Sequence, residues 1–181
     1  MSLKNEVLIR NAAPEDAEGL LAIYTPYVTG TAVSFEYEPP GLEEFQSRMA
    51  GTMESYPYLV AEEKGETVGY AYADPVHPRA AYRYCAEVTI YLRQDRRGEG
   101  LGRALYARLE EELKARGIRN LYACIGSPRE KGDPYLTQAS EKFHARMGYR
   151  LAGRFEACGY KFGRWYDMVW MEKMLCGQEE R

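Results

Sequence analysis

The feature that most constrains this fold is a cluster of glycines between a strand-like run and a helix-like run. The cluster comprises Gly98, Gly100 and Gly102. The sequence YCAEVTIYL before it is rich in β-branched and aromatic residues, which predicts a strand at 84–92. After it, leucine recurs at every fourth position from Leu101 to Leu113, which predicts a helix ending near Gly117. A strand that enters a helix through glycines leaves the helix N-terminus open, and such N-termini bind anions.

Three arginines flank the glycines and can add charge-assisted contacts to a phosphate: Arg96, Arg97 and Arg103. A Walker loop would need Lys-Ser or Lys-Thr after the glycines, and neither is present. A dinucleotide fingerprint is half present, but the following strand, Leu121–Ile125, offers no acidic residue for a ribose. The alternative to a phosphate site is a tight strand-to-helix turn with solvated arginines.

Composition is that of an ordinary globular protein. The 181 residues are 45% hydrophobic and 28% charged, and we expect one domain over 1–181 with a core at about 6–175 and a short tail at 176–181. The net charge of −3 implies no general attraction to nucleic acid or to anionic membranes. No apolar run is long enough for a membrane helix. The four scattered cysteines suggest reduced thiols in a cytoplasmic protein and no metal site.

The remaining patterns predict an α/β fold around one mixed sheet. Strands are expected at 6–12, 58–62, 67–73, 120–126, 149–159 and 165–175, and further helices at about 13–28, 42–53 and 137–148. The segment PVHPRAAY, with its two prolines, is expected to be a loop.

The segment RGEGLG, residues 97–102, fits the signature of an Arg or Gln, two residues, Gly, one residue, and Gly or Ala. This signature belongs to the GNAT superfamily of N-acetyltransferases, which the chain resembles over nearly its whole length. Two segments make it most similar to the phosphinothricin and methionine-sulfoximine branch: AEVTIYLRQDRRGEGLG and CGYKFGRWYDMVWME. The resemblance implies a mixed, mostly antiparallel sheet flanked by helices, with a bulged central strand leading into a pyrophosphate loop. It also implies acetyl-CoA as cosubstrate and no metal.

By this resemblance, the cofactor-binding residues are expected along the central strand and the loop. They are Ile90, Tyr91, Leu92, Arg97, Gly98, Glu99, Gly100, Leu101, Gly102 and Arg103. Family members usually place an Asn at the start of the last helix, where the segment GSPREKGDPYLTQAS departs from the pattern. Thr137 either replaces that Asn as a cofactor contact or caps the helix.

Two residues are candidates for proton transfer. Glu87 lies in an apolar strand, in phase with Thr89 and Tyr91, and a carboxylate there can take the proton of an attacking amine. The resemblance assigns the same role, and the alternative is a strand-end glutamate in a surface salt bridge. His144 stands where many family members carry a tyrosine that protonates the leaving thiolate, and the alternative is a structural residue of the helix.

The acceptor is expected to be a small amine, such as an amino acid or a compound like phosphinothricin. The loop before Glu87 offers Arg79 and Arg83 as clamps for a carboxylate and Tyr82 as a wall, while Phe35 is a further candidate. Solvated loop arginines are the alternative. By resemblance, a homodimer is expected to use the hairpin at 159–167. Two other functions stay open at this point: a CoA-binding sensor without turnover, and a protein or peptide N-acetyltransferase.

Overall fold

The computed structural model describes residues 7–175, so the tail and Cys176 lie outside the described residues. Seven strands form one sheet: β1 (Val7–Asn11), β2 (Tyr58–Glu63), β3 (Glu66–Pro75), β4 (Cys85–Leu92), β5 (Asn120–Pro128), β6 (Arg150–Lys161) and β7 (Arg164–Met174). Four α-helices accompany them: α1 (Ala17–Gly30), α2 (Leu42–Met53), α3 (Leu101–Ala115) and α4 (Ala139–Arg146). The predicted α/β fold and the predicted elements are confirmed, with shifts of a few residues at their ends.

The sheet has the order β1-β2-β3-β4-β5-β7-β6, and β4–β5 is its parallel pair among antiparallel neighbours. Within the described residues, β4 and β5 pair at three positions, from Cys85–Asn120 to Glu87–Tyr122. Beyond Glu87, β4 continues along β3 as far as Leu92, whereas β5 continues along β7. The sheet therefore opens into a gap between the outer halves of β4 and β5.

The bulge expected in the central strand is not seen in its pairing with β3. The register of β4 with β3 runs without a shift from Ala86 to Leu92. The gap arises instead because each of the two strands follows its antiparallel neighbour, β3 or β7, after their short parallel contact ends.

Two apolar clusters cover the two faces of the sheet. On one face, the leucines of α3 pack against alternate residues of the central strands, including Ala86 and Val88. On the other face, α1 and α2 pack against a group of tyrosines on β2 and β3. No helix within residues 7–175 combines the length and the apolar character that a membrane crossing needs.

Candidate active site

The glycine loop leads into an uncapped helix N-terminus. Gly98 and Gly100 have φ angles of +84° and +88°, which L-residues adopt at a cost, so glycine is required for this path of the backbone. Gly100 is the N-cap of α3, and no side chain caps this helix. The first intrahelical bond runs from Ala104 N–H to Gly100 O at 3.1 Å. The N–H groups of Leu101 to Arg103 therefore have no partner within the helix and are free to bind an anion.

The three arginines beside the loop have different roles. Arg96 forms ion pairs with the buried Glu63 on β2 and with Glu99, which tie the loop to the sheet. Arg97 is exposed, and its Nη2 donates to the Tyr27 hydroxyl at 3.2 Å. Arg103 is exposed on the first turn of α3. Arg97 and Arg103 therefore remain candidates for phosphate contacts, whereas Arg96 anchors the loop.

Gly102 packs closely against neighbouring side chains. It is buried on the first turn of α3, and a Cβ atom there would lie 3.1 Å from the Phe143 ring and 3.5 Å from Ile90. This glycine lets α3 approach α4 and β4 closely. The side chains of Phe143 and Ile90, rather than open space, surround the position of the missing Cβ.

The backbone of β4 presents unpaired N–H groups to the gap. Arg93 N–H donates to Val68 O on β3 at 2.9 Å. Because hydrogen-bonding direction alternates along an antiparallel ladder, the N–H groups of Leu92 and Ile90 point away from β3. Within the described residues, β4 pairs with β5 from Cys85 to Glu87 and not beyond, so these groups face the gap. The Tyr27 hydroxyl reaches Leu92 O at 2.6 Å from the same side.

Glu87 lies where the gap begins, on the face covered by α1 and α2. Ala86 and Val88 belong to the core on the α3 face, so Glu87 points to the opposite face together with Thr89 and Tyr91. The side chain is half-buried, and burial raises the pKa of its carboxyl group, with a further increase from Asp74. A surface salt bridge, the alternative for Glu87, is absent from the ion pairs found among the described residues.

A tyrosine-lined cavity of about 210 Å³ occupies this face. Its walls include Tyr24, Tyr72, Tyr91, Arg48 and Asp74. A second cavity of about 470 Å³, between α2 and the end of β3, shares Arg48, Thr52 and Asp74 with the first. Asp74 therefore connects the surroundings of Glu87 with an open cavity beside α2.

His144 is buried in the core between α3 and α4. Its Nδ1–H donates to Ser140 O at 2.8 Å, and its Nε2 accepts from the Tyr106 hydroxyl at 2.9 Å. Burial lowers the pKa of His144 to about 4, so the ring is neutral near pH 7. Both ring nitrogens are occupied, and 3% of the residue is exposed. This placement favours the structural alternative for His144 over proton donation to a thiolate.

Thr137 is exposed immediately before α4. Its Oγ1 accepts a hydrogen bond from Ala139 N–H at 3.3 Å. The N-cap of α4 is Gln138 and no side chain caps this helix, so the Thr137 bond closes a short turn before α4 and favours neither alternative for Thr137.

The loop between β3 and β4 begins next to Asp74 and ends three residues before Glu87, with a short 3₁₀ turn at Ala80–Tyr82. Arg79, Tyr82 and Arg83 are all exposed on it. The Arg83 guanidinium donates to the Tyr84 hydroxyl at 2.7 Å, and Tyr82 packs against His77 at 5.0 Å between ring centroids. The loop therefore brings its arginines to the Glu87 end of β4, with Arg79 facing solvent.

Phe35 lies in the α1–α2 segment and reaches across to the other arm of the divided sheet. Its ring contacts the positions of Gly126 on β5 and Gly159 on β6, where a Cβ atom would lie 3.5 Å and 2.6 Å from ring carbons. The buried Lys161 holds the same segment by donating from Nζ to Val28 O and Ser34 O, both at 2.7 Å. The α1–α2 segment therefore bridges the two arms above the gap.

Sequence reasoning missed several residues of this site. Asp74, Thr52 and the tyrosines of α1 and β3 line the cavities, and Cys124 on β5 lies on the same face as Glu87. The alternating pattern of β3 contained a signal for Asp74, since it lies on the same face as Tyr70 and Tyr72. Its pairing with Glu87 depends on the register of β3 with β4, which the sequence does not supply.

Comparison with known proteins identifies the family of this chain. The acetyltransferase (GNAT) domain family matches residues 9–170 of this chain. The chain belongs to the GNAT acetyltransferases. It is 39% identical to a phosphinothricin N-acetyltransferase from Alcaligenes faecalis over 169 residues, which cover 92% of this chain and 82% of that protein. It is 36% identical to an L-methionine sulfoximine/L-methionine sulfone acetyltransferase from Pseudomonas paraeruginosa, with 92% and 94% covered.

A solved GNAT structure is also similar along most of its length. The phosphinothricin acetyltransferase from Sinorhizobium meliloti, in complex with acetyl-CoA, has a TM-score of 0.84 and 33% identity, with 93% of this chain and 88% of that chain covered. The predicted resemblance to this branch is confirmed. As a GNAT acetyltransferase, the chain uses acetyl-CoA.

The residues present fit this cosubstrate. The open N-terminus of α3 and the two left-handed glycines offer backbone N–H groups that would hold a pyrophosphate, and Arg97 and Arg103 would add positive charge beside it. The unpaired edge of β4 offers hydrogen-bonding groups for the rest of the molecule. Among residues 7–175, no group of three or more His, Cys, Asp or Glu side chains could hold a metal ion.

Proposed function

We propose that this acetyltransferase acetylates the amino group of a small molecule that carries an anionic group, such as an amino acid or a compound like phosphinothricin or methionine sulfoximine. The observation that carries the proposal is the position of Glu87, a half-buried carboxylate at the point where β4 leaves β5. The relatives named for phosphinothricin and methionine sulfoximine support the acceptor class.

Glu87 is the general base in this proposal. An amine must lose its proton before it attacks a thioester, because the ammonium form has no free electron pair. Near pH 7 the amine carries that proton, since the pKa of an alkylammonium is about 10. Burial raises the pKa of Glu87, which makes its carboxylate a stronger base than an exposed glutamate. Along β4, Ile90 is three residues from Glu87, or roughly 10 Å at the usual rise per residue, so a water molecule between base and amine suits the spacing.

The N–H groups of Ile90 and Leu92 are the donors that would stabilise negative charge on the acetyl oxygen. They are part of a strand that is held by β3 on its other edge, so they are fixed in direction before any ligand binds. Acetyl-CoA, when bound, supplies the acetyl group as a thioester. Its leaving thiol has a reference pKa near about 8.5, so departure needs little protonation, and we assign His144 no part in it.

Arg79 and Arg83 are the proposed partners of the acceptor's anionic group. Both lie on the loop that ends beside Glu87, and guanidinium groups bind carboxylates and phosphinates through paired hydrogen bonds. Tyr82 from the same loop and Phe35 from the α1–α2 segment are the proposed walls on the two sides of the acceptor.

The test is release of free CoA from acetyl-CoA across a panel of amines. The panel contains amino acids, their carboxamides, phosphinothricin, methionine sulfoximine, and a peptide with a free N-terminus. We expect turnover with at least one compound that has both amine and acid groups, and a lower rate with its carboxamide. In Glu87→Gln, we expect turnover to fall by about 10²- to 10⁴-fold, with CoA affinity unchanged.

The arginines are tested by the same pair of substrates. The preference for the acid over the carboxamide should collapse in Arg79→Ala, in Arg83→Ala, or in both. If the peptide is acetylated and the small acids are not, the protein or peptide alternative replaces this proposal.

We also propose that the protein is a homodimer that uses the β6–β7 hairpin. Tyr160 and Trp165 pack against each other there, with 4.9 Å between ring centroids, and both are exposed. β6 is an edge strand of the sheet and carries Leu151 and Phe155 in exposed positions. Exposed apolar groups on an unpaired edge are typical of a surface that is covered in an assembly.

A further inference from the structure

Two carboxylates face each other across the central strands. Asp74 on β3 is the direct partner of Glu87 on β4. Directly opposed residues of an antiparallel pair share one face, with Cβ atoms about 5 Å apart. Both side chains are half-buried, and burial raises the pKa of both carboxyl groups. The Thr52 hydroxyl donates to Asp74 Oδ1 at 2.7 Å.

This arrangement costs stability when both groups are ionised. Like charges directly opposite each other in a sheet repel, and partial burial weakens the screening by water. None of the ion pairs found among the described residues places a cation on either carboxylate. Two acids in this situation hold one proton more readily than two isolated acids would.

Asp74 dominates the charge environment of Glu87. The other titratable side chains around Glu87 are Tyr72 on β3, Tyr122 and Cys124 on β5, and Tyr106 on α3. Burial raises the pKa of each of them, that of Cys124 to about 12, so all four are neutral near pH 7. Asp74 itself is faced by Tyr56 and Tyr58, whose pKa values burial raises, and by Arg48, which shares both cavities with Asp74 but pairs with Glu36 and Glu44. The ionisation of Glu87 is therefore coupled mainly to that of Asp74.

Asp74 also lines cavities that extend away from the gap. It lines both the tyrosine-lined cavity and the larger cavity beside α2, which has Ser47, Thr52 and Ser55 in its wall. Glu87 lines neither of these cavities. A proton that reaches Asp74 can therefore leave on the α2 side, away from the gap between β4 and β5.

We propose that Asp74 is a second carboxylate of the active site, which accepts the acceptor's proton from Glu87 and passes it to water in the cavity beside α2. This inference rests on the proposed role of Glu87. One N–H bond of the acceptor's ammonium group breaks and one O–H bond forms on Glu87. The same proton then moves to the Asp74 carboxylate and from there to water, so both carboxylates end as they began. Asp74 touches no reacting atom and acts through Glu87.

The coupling can be measured without any substrate. We would label glutamate and aspartate side-chain carboxyl carbons with ¹³C, assign Glu87 by its loss in Glu87→Gln, and follow its NMR titration. In Asp74→Asn, which preserves the size of the side chain and an acceptor for Thr52, the titration of Glu87 should move to lower pH. Thr52→Val removes the bond that favours ionised Asp74, so it should move the Glu87 titration in the same direction by a smaller amount.

Kinetics test the relay itself. In Asp74→Asn, the acidic limb of the kcat/KM profile should move to lower pH together with the titration of Glu87. Above that limb, kcat should fall, by less than the roughly 10²-fold minimum for loss of a general base, while KM for acetyl-CoA is unchanged. Glu43→Gln, which removes a negative charge from an exposed position on α2, is the control and should alter neither quantity.

The outcomes separate this inference from the proposed function. If Glu87 titrates identically in the wild type and in Asp74→Asn, the carboxylate pair is not coupled and the inference is wrong. If the titration moves but kcat above the limb is unaltered, the relay is wrong. Absence of turnover with every acceptor would defeat the proposed function, and the NMR titration would still decide the coupling.

Discussion

Tyr106 on α3 and His144 on α4 are joined by a hydrogen bond of 2.9 Å between the phenol oxygen and Nε2. The bond lies inside the core, and the ring of Tyr149 packs edge-on against His144 at 5.3 Å. Nδ1 of the same imidazole donates to a backbone carbonyl one turn earlier in α4. The imidazole thus connects the two helices as a neutral group with both nitrogens satisfied, and its protonation must disturb this packing.

We predict that His144 makes the folded state less stable as the pH falls from about 6.5 to 4. The pKa of His144 is lowered from 6.5 to about 4 in the fold, so between these values the unfolded chain binds a proton that the native state does not. The neutral His144 ring therefore contributes fully to the free energy of unfolding above pH 6.5, its pKa in the unfolded chain. This contribution decreases as the pH falls toward about 4, its pKa in the folded state, by about 3 kcal/mol at most. Urea unfolding of wild type and His144→Gln over this range should show a smaller pH dependence in the variant.

Gly153→Ala on β6 provides the control for this measurement, because it changes no titratable group and nothing lies within 4 Å of the added Cβ. It should leave the pH dependence as in the wild type. Identical pH dependence in wild type and His144→Gln would show that His144 is not held in its neutral form.

Gly98 and Gly117 allow the strain of a substitution to be separated from its effect on acetyl-CoA. Their φ angles are +84° and +82°, and an added Cβ would meet nothing within 4 Å at either position. Replacing either by Ala should therefore cost a similar amount of stability, about 1 to 2 kcal/mol, for the left-handed conformation. Gly98 lies in the glycine loop, whereas Gly117 follows the far end of α3.

CoA affinity should distinguish the two variants. We expect calorimetry to show a Kd increased about tenfold or more in Gly98→Ala, because a strained loop no longer presents its N–H groups to the pyrophosphate. Gly117→Ala should bind CoA as the wild type does. Equal affinity in both variants would contradict the assignment of residues 97–103 as the pyrophosphate loop.

The Phe35 ring occupies the space that a side chain at position 159 would need. A Cβ atom on Gly159 would lie 2.6 Å from the Phe35 Cζ, so Gly159→Ala must displace the ring. We expect KM for the acceptor to rise several-fold with little change in KM for acetyl-CoA, because Phe35 is proposed to form a wall for the acceptor. Gly153→Ala on the same strand, where nothing lies within 4 Å of the added atom, is the matched control. An unchanged acceptor KM in Gly159→Ala would remove Phe35 from the site.

Much of the fold could be predicted because its periodic signals are local. The leucines of α3 lie four residues apart and are all buried, and Gly117 ends the helix region in the left-handed conformation. The glycine loop can be predicted for the same reason, because the strand, the glycines and the helix follow one another directly in the sequence. The alternation along β4 correctly placed Glu87 on the face opposite Val88.

The rest of the site depends on contacts between distant segments. Asp74 becomes a partner of Glu87 through the register of β3 with β4. Arg96 forms an ion pair with Glu63, which lies 33 residues earlier in the chain, and this pair holds Arg96 away from a phosphate. The position of His144 in the helix matches a family role, which predicts a part in catalysis. Its burial beside Tyr106 depends on the packing of α4 against α3, which no local pattern encodes.

The proposed dimer predicts that Trp165 determines the state of association. This residue is 56% exposed on the β6–β7 hairpin, and Leu8 on the opposite edge strand β1 is equally exposed at 56%. Sedimentation at micromolar concentration should show a dimer for the wild type and for Leu8→Ser. Trp165→Ser should sediment largely as a monomer, because an exposed aromatic anchor near the centre of an interface carries a large share of the binding energy, about 2 kcal/mol or more. Circular dichroism should show that the variant stays folded, since Trp165 contributes little to the core. If the wild type sediments as a monomer under these conditions, the proposed dimer is wrong. If Trp165→Ser still forms a dimer, the interface does not depend on the β6–β7 hairpin.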